Sequence, residues 1–90
     1  MSWFVYILRC GDGSLYTGIT DGISRRLAAH QSGKGAKYTR GRGPLTLLYA
    51  EEHPDRAAAS RREYAIKHLK RSDKLSLIAS HGGTVTSPSE

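Results

Sequence analysis

Two short β-rich runs on either side of a turn sequence constrain the fold of this chain most strongly. Residues 3–8, Trp-Phe-Val-Tyr-Ile-Leu, and residues 15–20, Leu-Tyr-Thr-Gly-Ile-Thr, are rich in the aromatic and β-branched side chains that favour strands. Residues 11–14 between them, Gly-Asp-Gly-Ser, are typical turn residues. The two runs are therefore predicted to form an antiparallel hairpin.

The predicted hairpin brings two tyrosines close together. Because side chains alternate between the faces of a strand, Tyr6 shares a face with Leu8, and Tyr16 shares one with Gly18. A glycine inside a strand indicates a bulge or the close approach of a ligand or another backbone. The hairpin alone leaves two interpretations open: the tyrosines either lie at the edge of the core or form part of a site.

The excess of basic residues favours a polyanionic partner. The chain has 14 Lys and Arg against 8 Asp and Glu among 90 residues, a formal net charge of +6 and a pI of about 9.8. Nucleic acid is the leading candidate, and a solvated basic surface without a partner is the alternative. This length suits one domain with a single modest core.

Cysteine content and hydropathy exclude several classes of protein. One cysteine, Cys10, excludes an internal disulfide and a multi-cysteine zinc site, and it fits a reducing compartment. No segment has the length and apolar character of a membrane span, and the first residues lack the pattern of a signal peptide. A cytoplasmic location without membrane contact is expected.

A helix carrying basic residues is predicted after the hairpin, over residues 23–32, with Asp21 or Ser24 as its N-terminal cap. Arg26 and His30 are four residues apart in it, so both project from one face.

The next segment, residues 33–44, is predicted to be a flexible cationic loop, because it holds four basic residues, four glycines and no acid. Its cations can follow a phosphate chain, and its tyrosine can stack on a base or bond a phosphate. The alternative is a solvated connector. The residues predicted to contact nucleic acid here and on the preceding helix are Arg25, Lys34, Lys37, Tyr38, Arg40 and Arg42.

The rest of the chain predicts one strand and two helices. Residues 45–50 are short and apolar, residues 55–70 are rich in alanine, and residues 72–79 carry a final apolar pattern. These elements predict an α+β domain over residues 1–79, in which a small three-stranded antiparallel sheet is flanked by helices in the order β-β-α-β-α-α. Residues 80–90 are predicted to be a disordered tail.

Two charged residues of the long helix occupy unusual positions. Glu63 borders the apolar face that includes Ala59, where a carboxylate can reach a cleft and hold Mg²⁺ together with water. The alternative is a solvated acid paired with Lys67 or Arg56. Arg62 lies inside the apolar arc, so it is expected either to extend its charge to solvent or to brace an acidic partner.

Taken in order, Tyr6, the phrase Tyr16-Thr17-Gly18, Arg26 and Glu63 resemble the GIY-YIG nuclease superfamily. The resemblance is closest to the small, single-domain bacterial YhbQ-like group and covers residues 3–78. Two further strings belong to it, residues 35–40, Gly-Ala-Lys-Tyr-Thr-Arg, and residues 62–67, Arg-Glu-Tyr-Ala-Ile-Lys.

The resemblance implies hydrolysis of phosphodiester bonds with one divalent cation, Mg²⁺ or Mn²⁺. In that case Tyr16 acts with a neighbouring group to deprotonate or position the attacking water, and Tyr6 bonds the phosphate or assists proton transfer. Arg26 grips a phosphate oxygen and Glu63 holds the metal. His30 is either a general base or a helix-surface residue that orients a tyrosine.

The resemblance also implies a nucleic-acid partner, DNA rather than RNA, with involvement in repair or recombination. Gly18 is expected to leave room for the phosphate backbone. A small basic domain without an element that reads the major groove is expected to recognise irregular or branched shapes. Specificity then comes from its own surface or from a partner protein. Two alternatives stay open: a weak or inactive DNA- or RNA-binding module with the same fold, and a nuclease subunit active only in a complex.

Overall fold

The first of three strands lies in the middle of an antiparallel sheet, in the order β2-β1-β3. The structure is a computed structural model that describes residues 2–35 and 37–80. The predicted α+β class and the order β-β-α-β-α-α are confirmed, with one additional short 3₁₀ helix. The elements are β1 (Trp3–Arg9), β2 (Leu15–Thr20), α1 (Ile23–Gln31), the 3₁₀ helix (Lys37–Thr39), β3 (Thr46–His53), α2 (Arg56–Lys67) and α3 (Arg71–Ser80).

The register of the hairpin determines which side chains share a face. Tyr6 of β1 pairs with Gly18 of β2, and Leu8 pairs with Tyr16. Directly opposed residues point to the same face of a sheet. The prediction that the two tyrosines lie close together on one side of the hairpin is therefore confirmed.

A bulge changes the alternation of side chains along β3. Ile7 pairs with Tyr49 but Leu8 pairs with Leu47, so one residue of β3 is left without a partner in β1. The extra residue reverses the alternation. As a result Leu47 and Ala50, which are an odd number of positions apart, both pack on the face that α1 covers.

Both faces of the sheet are covered, because Val5 through Leu8 of β1 are all buried. On one face Ala59 and Ile66 of α2 pack on Val5, Ile7 and Tyr49 of the sheet, and Leu77 and Ile78 of α3 pack against this cluster. On the other face Tyr6, Leu8 and Cys10 are covered by Leu45, which precedes β3, and by Ile23 and Leu27 of α1.

The helix ends differ in part from the predictions. The N-cap of α1 is Gly22, which as a glycine has no side chain to cap the helix, and Asp21 bonds the guanidinium of Arg25 instead of a helix amide. The predicted caps Asp21 and Ser24 are therefore wrong. Helix α2 begins at Arg56, one residue after the predicted start, and Asp55 is its N-cap: Asp55 Oδ1 accepts a hydrogen bond from the Ala58 amide at 2.8 Å.

The other boundaries shift by a few residues. Helix α2 ends at Lys67 rather than 70, and α3 begins at Arg71 rather than 72. Strand β3 continues to His53, because its polar end still pairs with Trp3 of β1. Ser80, assigned to the predicted tail, is helical, and residues 81–90 lie outside the described part of the chain.

Within residues 2–35 and 37–80, no helix combines the length and apolar character needed to cross a bilayer.

Candidate active site

Three aromatic rings form a cluster on the face of the sheet that α1 covers. The ring centroids of Tyr6 and Tyr16 are 6.2 Å apart. The ring of His30 lies 5.9 Å from that of Tyr6 and 5.4 Å from that of Tyr16, edge-on to both. Two strands and one helix therefore bring three groups that can exchange protons into contact.

Gly18 is required by this cluster. A Cβ atom at this position would lie 2.7 Å from Tyr6 Oη and 2.9 Å from Tyr16 Cε2, closer than real Cβ atoms come to their neighbours. The expectation that Gly18 leaves room for a phosphate backbone is therefore wrong. The two tyrosine rings occupy the space that its missing side chain opens.

His30 is held from both ring nitrogens. Its Nε2 lies 2.8 Å from Tyr6 Oη, and its Nδ1 lies 2.8 Å from Thr39 Oγ1 in the 3₁₀ helix. Its side chain is buried, so it is not the helix-surface residue of the alternative interpretation, although it does bond a tyrosine as that interpretation expected. Gly35 makes this burial possible, because a Cβ there would overlap His30 Nδ1.

Thr39 and Gly35 are site residues that the sequence reasoning did not single out. Both fall in residues 35–40, a string that carries part of the family resemblance. Their place in that string was the sequence signal that could have identified them as site residues. Thr39 bonds one ring nitrogen of His30, and Tyr6 of the sheet bonds the other.

The protonation states within the cluster complement each other. Burial raises the pKa of Tyr6 to about 12, against an opposing hydrogen bond from Arg26, and Tyr16 and Glu63 add to the rise. Tyr6 therefore keeps its proton at neutral pH. Burial and the charge of Arg26 lower the pKa of His30 below 6.5, so its imidazole is neutral and able to accept a proton.

Arg26 and Glu63 complete the set from two different helices. Arg26 lies on α1 one turn before His30 and bonds the hydroxyl of Tyr6. Glu63 lies on α2, and its charge is close enough to Tyr6 to raise the pKa of that tyrosine. Its Oε2 forms an ion pair with Lys67 Nζ at 3.3 Å, as the alternative interpretation expected. The structure thus brings Tyr6, Tyr16 and His30 into one cluster, with the charges of Arg26 and Glu63 close enough to shift the pKa of Tyr6.

The site offers a single carboxylate to a metal ion. Among the described residues, no group of three or more His, Cys, Asp or Glu could hold a metal. Glu63 is partly accessible, with 22% of its side chain exposed. One oxygen ligand beside water and substrate phosphate suits Mg²⁺ or Mn²⁺, whereas a structural zinc site needs several protein ligands.

The cationic loop is partly docked on the rest of the domain. The Gly11 amide donates to the Arg42 carbonyl at 2.5 Å, and Arg42 Nη1 lies 2.5 Å from Asp12 Oδ2. A Cβ at Gly11 would overlap the Gly43 carbonyl oxygen. The prediction of a merely flexible loop is therefore wrong at this end, which packs against the β1–β2 turn.

The cations predicted to meet nucleic acid fall into two groups. Lys34, Lys37 and Arg40 are exposed. Arg25 and Arg42 are engaged with Asp21 and Asp12, respectively. The side chain of Tyr38 lies outside what the structure describes.

A second polar cluster lies on the opposite face of the sheet, where Arg62 meets Glu51. Arg62 Nε lies 2.9 Å from Glu51 Oε2, His53 Nε2 lies 2.6 Å from the same oxygen, and Tyr49 donates to Oε1. Burial disfavours the charge of Glu51, yet these three hydrogen bonds hold its pKa below the usual value. The expectation that Arg62 braces an acidic partner is confirmed.

The fold and the clustered side chains define a small α+β domain with a group of tyrosine, histidine and charged side chains on one face of its sheet. Residues 2–76 match the family model of the GIY-YIG catalytic domain. The chain belongs to the GIY-YIG family.

Relatives of similar length extend the match over most of the chain. A UPF0213 protein of Nitratidesulfovibrio vulgaris is 52% identical over 81 residues, which cover 90% of this chain and 74% of the relative. The solution NMR structure of a UPF0213 protein from Bacillus halodurans is 51% identical, covers 93% of this chain and 89% of that one, and gives a TM-score of 0.61. A protein from E. faecalis, also solved by NMR, is 38% identical with a TM-score of 0.63, covering 91% of this chain and 88% of that one.

Proposed function

We propose that this protein hydrolyses phosphodiester bonds of DNA with the help of Mg²⁺ or Mn²⁺. The observation that carries the proposal is the cluster of Tyr6, Tyr16 and a neutral His30, with the charges of Arg26 and Glu63 close enough to shift the pKa of Tyr6. Membership of a nuclease-type family supports the same reaction.

The two tyrosines have different parts in this proposal. Tyr16 is partly exposed, so it is the tyrosine that meets and orients the attacking water. Tyr6 is only 3% exposed and already bonds His30, which suits a relay. The water gives a proton to Tyr6 Oη while the Tyr6 proton passes to His30 Nε2. The water oxygen bonds phosphorus, and the bond from phosphorus to the leaving oxygen breaks.

Arg26 and Glu63 act on the negative charge that develops on the phosphate and on the leaving oxygen. The guanidinium of Arg26 is always charged and is held at Tyr6, so it can grip a non-bridging phosphate oxygen as charge develops. Glu63 would hold the divalent cation, which when bound stabilises charge on the leaving oxygen. For this its carboxylate must exchange the ammonium of Lys67 for the metal.

The proposed substrate is DNA of irregular or branched shape. The exposed cations Lys34, Lys37 and Arg40 can follow phosphates of any sequence. A partner protein that supplies further specificity is part of the proposal, as are a cytoplasmic location and a role in DNA repair.

The test is a cleavage assay on single-stranded, duplex, flapped and branched DNA, with Mg²⁺ or Mn²⁺. Glu63→Gln should lower the rate about 100-fold or more because it removes the metal carboxylate. Glu52→Gln is the matched control, since Glu52 is an exposed carboxylate of β3 outside the site, and should cleave like the wild type. Cleavage that survives Glu63→Gln would contradict the assigned mechanism.

The ion pair of Glu63 with Lys67 favours a second candidate, a DNA- or RNA-binding module that does not hydrolyse its ligand. In that case no substrate is cleaved at any metal concentration, while salt-sensitive binding persists and is unaffected by Glu63→Gln.

A further inference from the structure

We propose that a cavity at the outer edge of β2 binds a phosphate of the strand being cut, one or two nucleotides from the scissile bond. The cavity has a volume of about 390 Å³ and is lined by Leu15, Tyr16, Thr17, Lys67 and Lys74. This proposal rests on the proposed function, since it identifies how the same site holds the flanking strand.

Two lysines from different helices converge on this cavity. Lys67 ends α2 and Lys74 lies in the first half of α3, so the turn between the helices brings them together. Two lysines that line one cavity repel each other through their charges, and an anion bound in the cavity would offset that repulsion. Lys67 forms an ion pair with Glu63 at 3.3 Å, and half of its side chain remains exposed. The cavity therefore offers positive charge suited to a phosphate.

A buried hydroxyl at the same cavity lacks a partner. Thr17 is 3% exposed, and its Oγ1 is the buried side-chain polar atom for which residues 2–35 and 37–80 supply no hydrogen bond. Buried polar groups in folded proteins are nearly always bonded, so an orphan one needs an explanation. A phosphate oxygen in the cavity would supply the missing acceptor.

Tyr16 connects the cavity to the candidate active site. Its ring contacts that of His30, with centroids 5.4 Å apart, and the same residue lines the cavity. Successive nucleotides of one strand rise by about 3.4 Å. A phosphate in the cavity therefore belongs to the same strand as the phosphate that Tyr16 and Arg26 attend.

The test combines a double variant with a substrate from which one charge is removed. At a metal concentration that saturates Glu63, so that competition from Lys67 does not affect the rate, Lys67→Gln/Lys74→Gln should raise KM about tenfold and change kcat less than about threefold, because it removes binding present in both ground and transition states. A substrate with one neutral methylphosphonate at the contacted position should bind the wild type equally weakly. With that substrate the double variant should show no further loss.

Two further variants separate a binding role from a structural one. Arg61→Gln removes an exposed cation from the same helix and should leave the response to the methylphosphonate unchanged. Thr17→Val removes the unpaired hydroxyl, so it should not lower the stability of the fold but should weaken DNA binding. Thr17→Val with unchanged binding would exclude the hydroxyl from the site.

Binding measured without divalent metal distinguishes failure of this proposal from failure of hydrolysis. The slope of log K against log salt for single-stranded DNA should fall by about 0.7 in the double variant, because one phosphate is no longer neutralised. If the wild type cleaves DNA but the double variant keeps its KM and salt slope, the subsite is wrong and the proposed function stands. If nothing is cleaved but the slope falls, the subsite stands and hydrolysis is wrong.

Discussion

The surroundings of His30 determine the protonation state of its imidazole. It is buried between the hydroxyls of Tyr6 and Thr39, at 2.8 Å from each. A neutral imidazole satisfies this pair with one donor and one acceptor, whereas an imidazolium would have to donate to both and lose hydration. Burial and the charge of Arg26 therefore keep the imidazole neutral, and a neutral ring can take a proton during a reaction.

The titration of His30 predicts how stability depends on pH. Its pKa in the folded protein lies below the ordinary 6.5, so the unfolded chain binds the proton first as the pH falls. The stability that His30 contributes is therefore complete above 6.5 and declines from there down to its folded pKa. Urea unfolding at pH 7.5 and 5.5 should show a smaller pH effect in His30→Gln than in the wild type.

His68→Gln is the control for that measurement, because His68 is an exposed histidine at the C-cap of α2. It should retain the pH dependence of the wild type. Equal pH dependence in His30→Gln and the wild type would contradict the assigned protonation state.

Gly18→Ala should destabilise the domain by about 1–3 kcal/mol, since the added methyl overlaps the rings of Tyr6 and Tyr16. Gly43→Ala is a matched control because a Cβ there meets nothing within 4 Å. Chemical unfolding of both variants is the measurement. Gly18→Ala with wild-type stability would show that the rings have room to move apart.

Among the helices and strands, β3 is connected to α2 by the polar cluster of Tyr49, Glu51 and Arg62. The cluster lies on the face opposite the candidate active site, but Arg62 precedes Glu63 in the same helix. The hydrogen bond from Arg62 to Glu51 limits rotation of α2 about its own axis. The cluster therefore contributes to placing Glu63 where its charge reaches Tyr6.

Arg62→Ala should lower the free energy of unfolding by about 1–2 kcal/mol, because it removes a charged hydrogen bond to a mostly buried carboxylate while 38% of the Arg62 side chain is exposed. It should also lower cleavage, since Glu63 is less firmly placed. Arg61→Ala, an exposed neighbour, should affect neither. Additive effects of Arg62→Ala and Glu51→Gln on stability would contradict a direct interaction.

For the domain as a whole, the effect of the net charge of +6 on nucleic-acid binding depends on the positions of the cations. Arg25 and Arg42 are engaged with aspartates, whereas Lys34, Lys37 and Arg40 are exposed on the loop beside His30. The uncompensated charge therefore extends from the loop to the candidate active site.

Replacing Lys34, Lys37 and Arg40 together with Gln should weaken duplex binding and reduce the salt slope by up to about 2.7, or about 0.9 for each phosphate that is no longer neutralised. A control that replaces Arg56, Arg61 and Lys70 with Gln removes the same charge from another surface and should change the slope less. Equal changes in both variants would mean that only net charge matters. Titrations at several salt concentrations measure the slopes.

Much of the architecture could be predicted because strand and helix signals are local. The hairpin follows from alternating side chains around turn residues, and helix α2 follows from its alanine-rich composition. The ends of β3 and α2 could not be predicted, because pairing with Trp3 and packing between helices determine where they stop.

The order of the elements, the family and the set of residues that carry the resemblance could all be read from the amino-acid sequence, since they depend on neighbours along the chain or on order. Three other facts came from the folded structure: His30 is buried against Tyr6, Gly18 makes room for tyrosine rings, and Lys67 and Lys74 meet at one cavity. These facts depend on distances between residues that are separated in the chain. Such distances exist only once both faces of the sheet are packed.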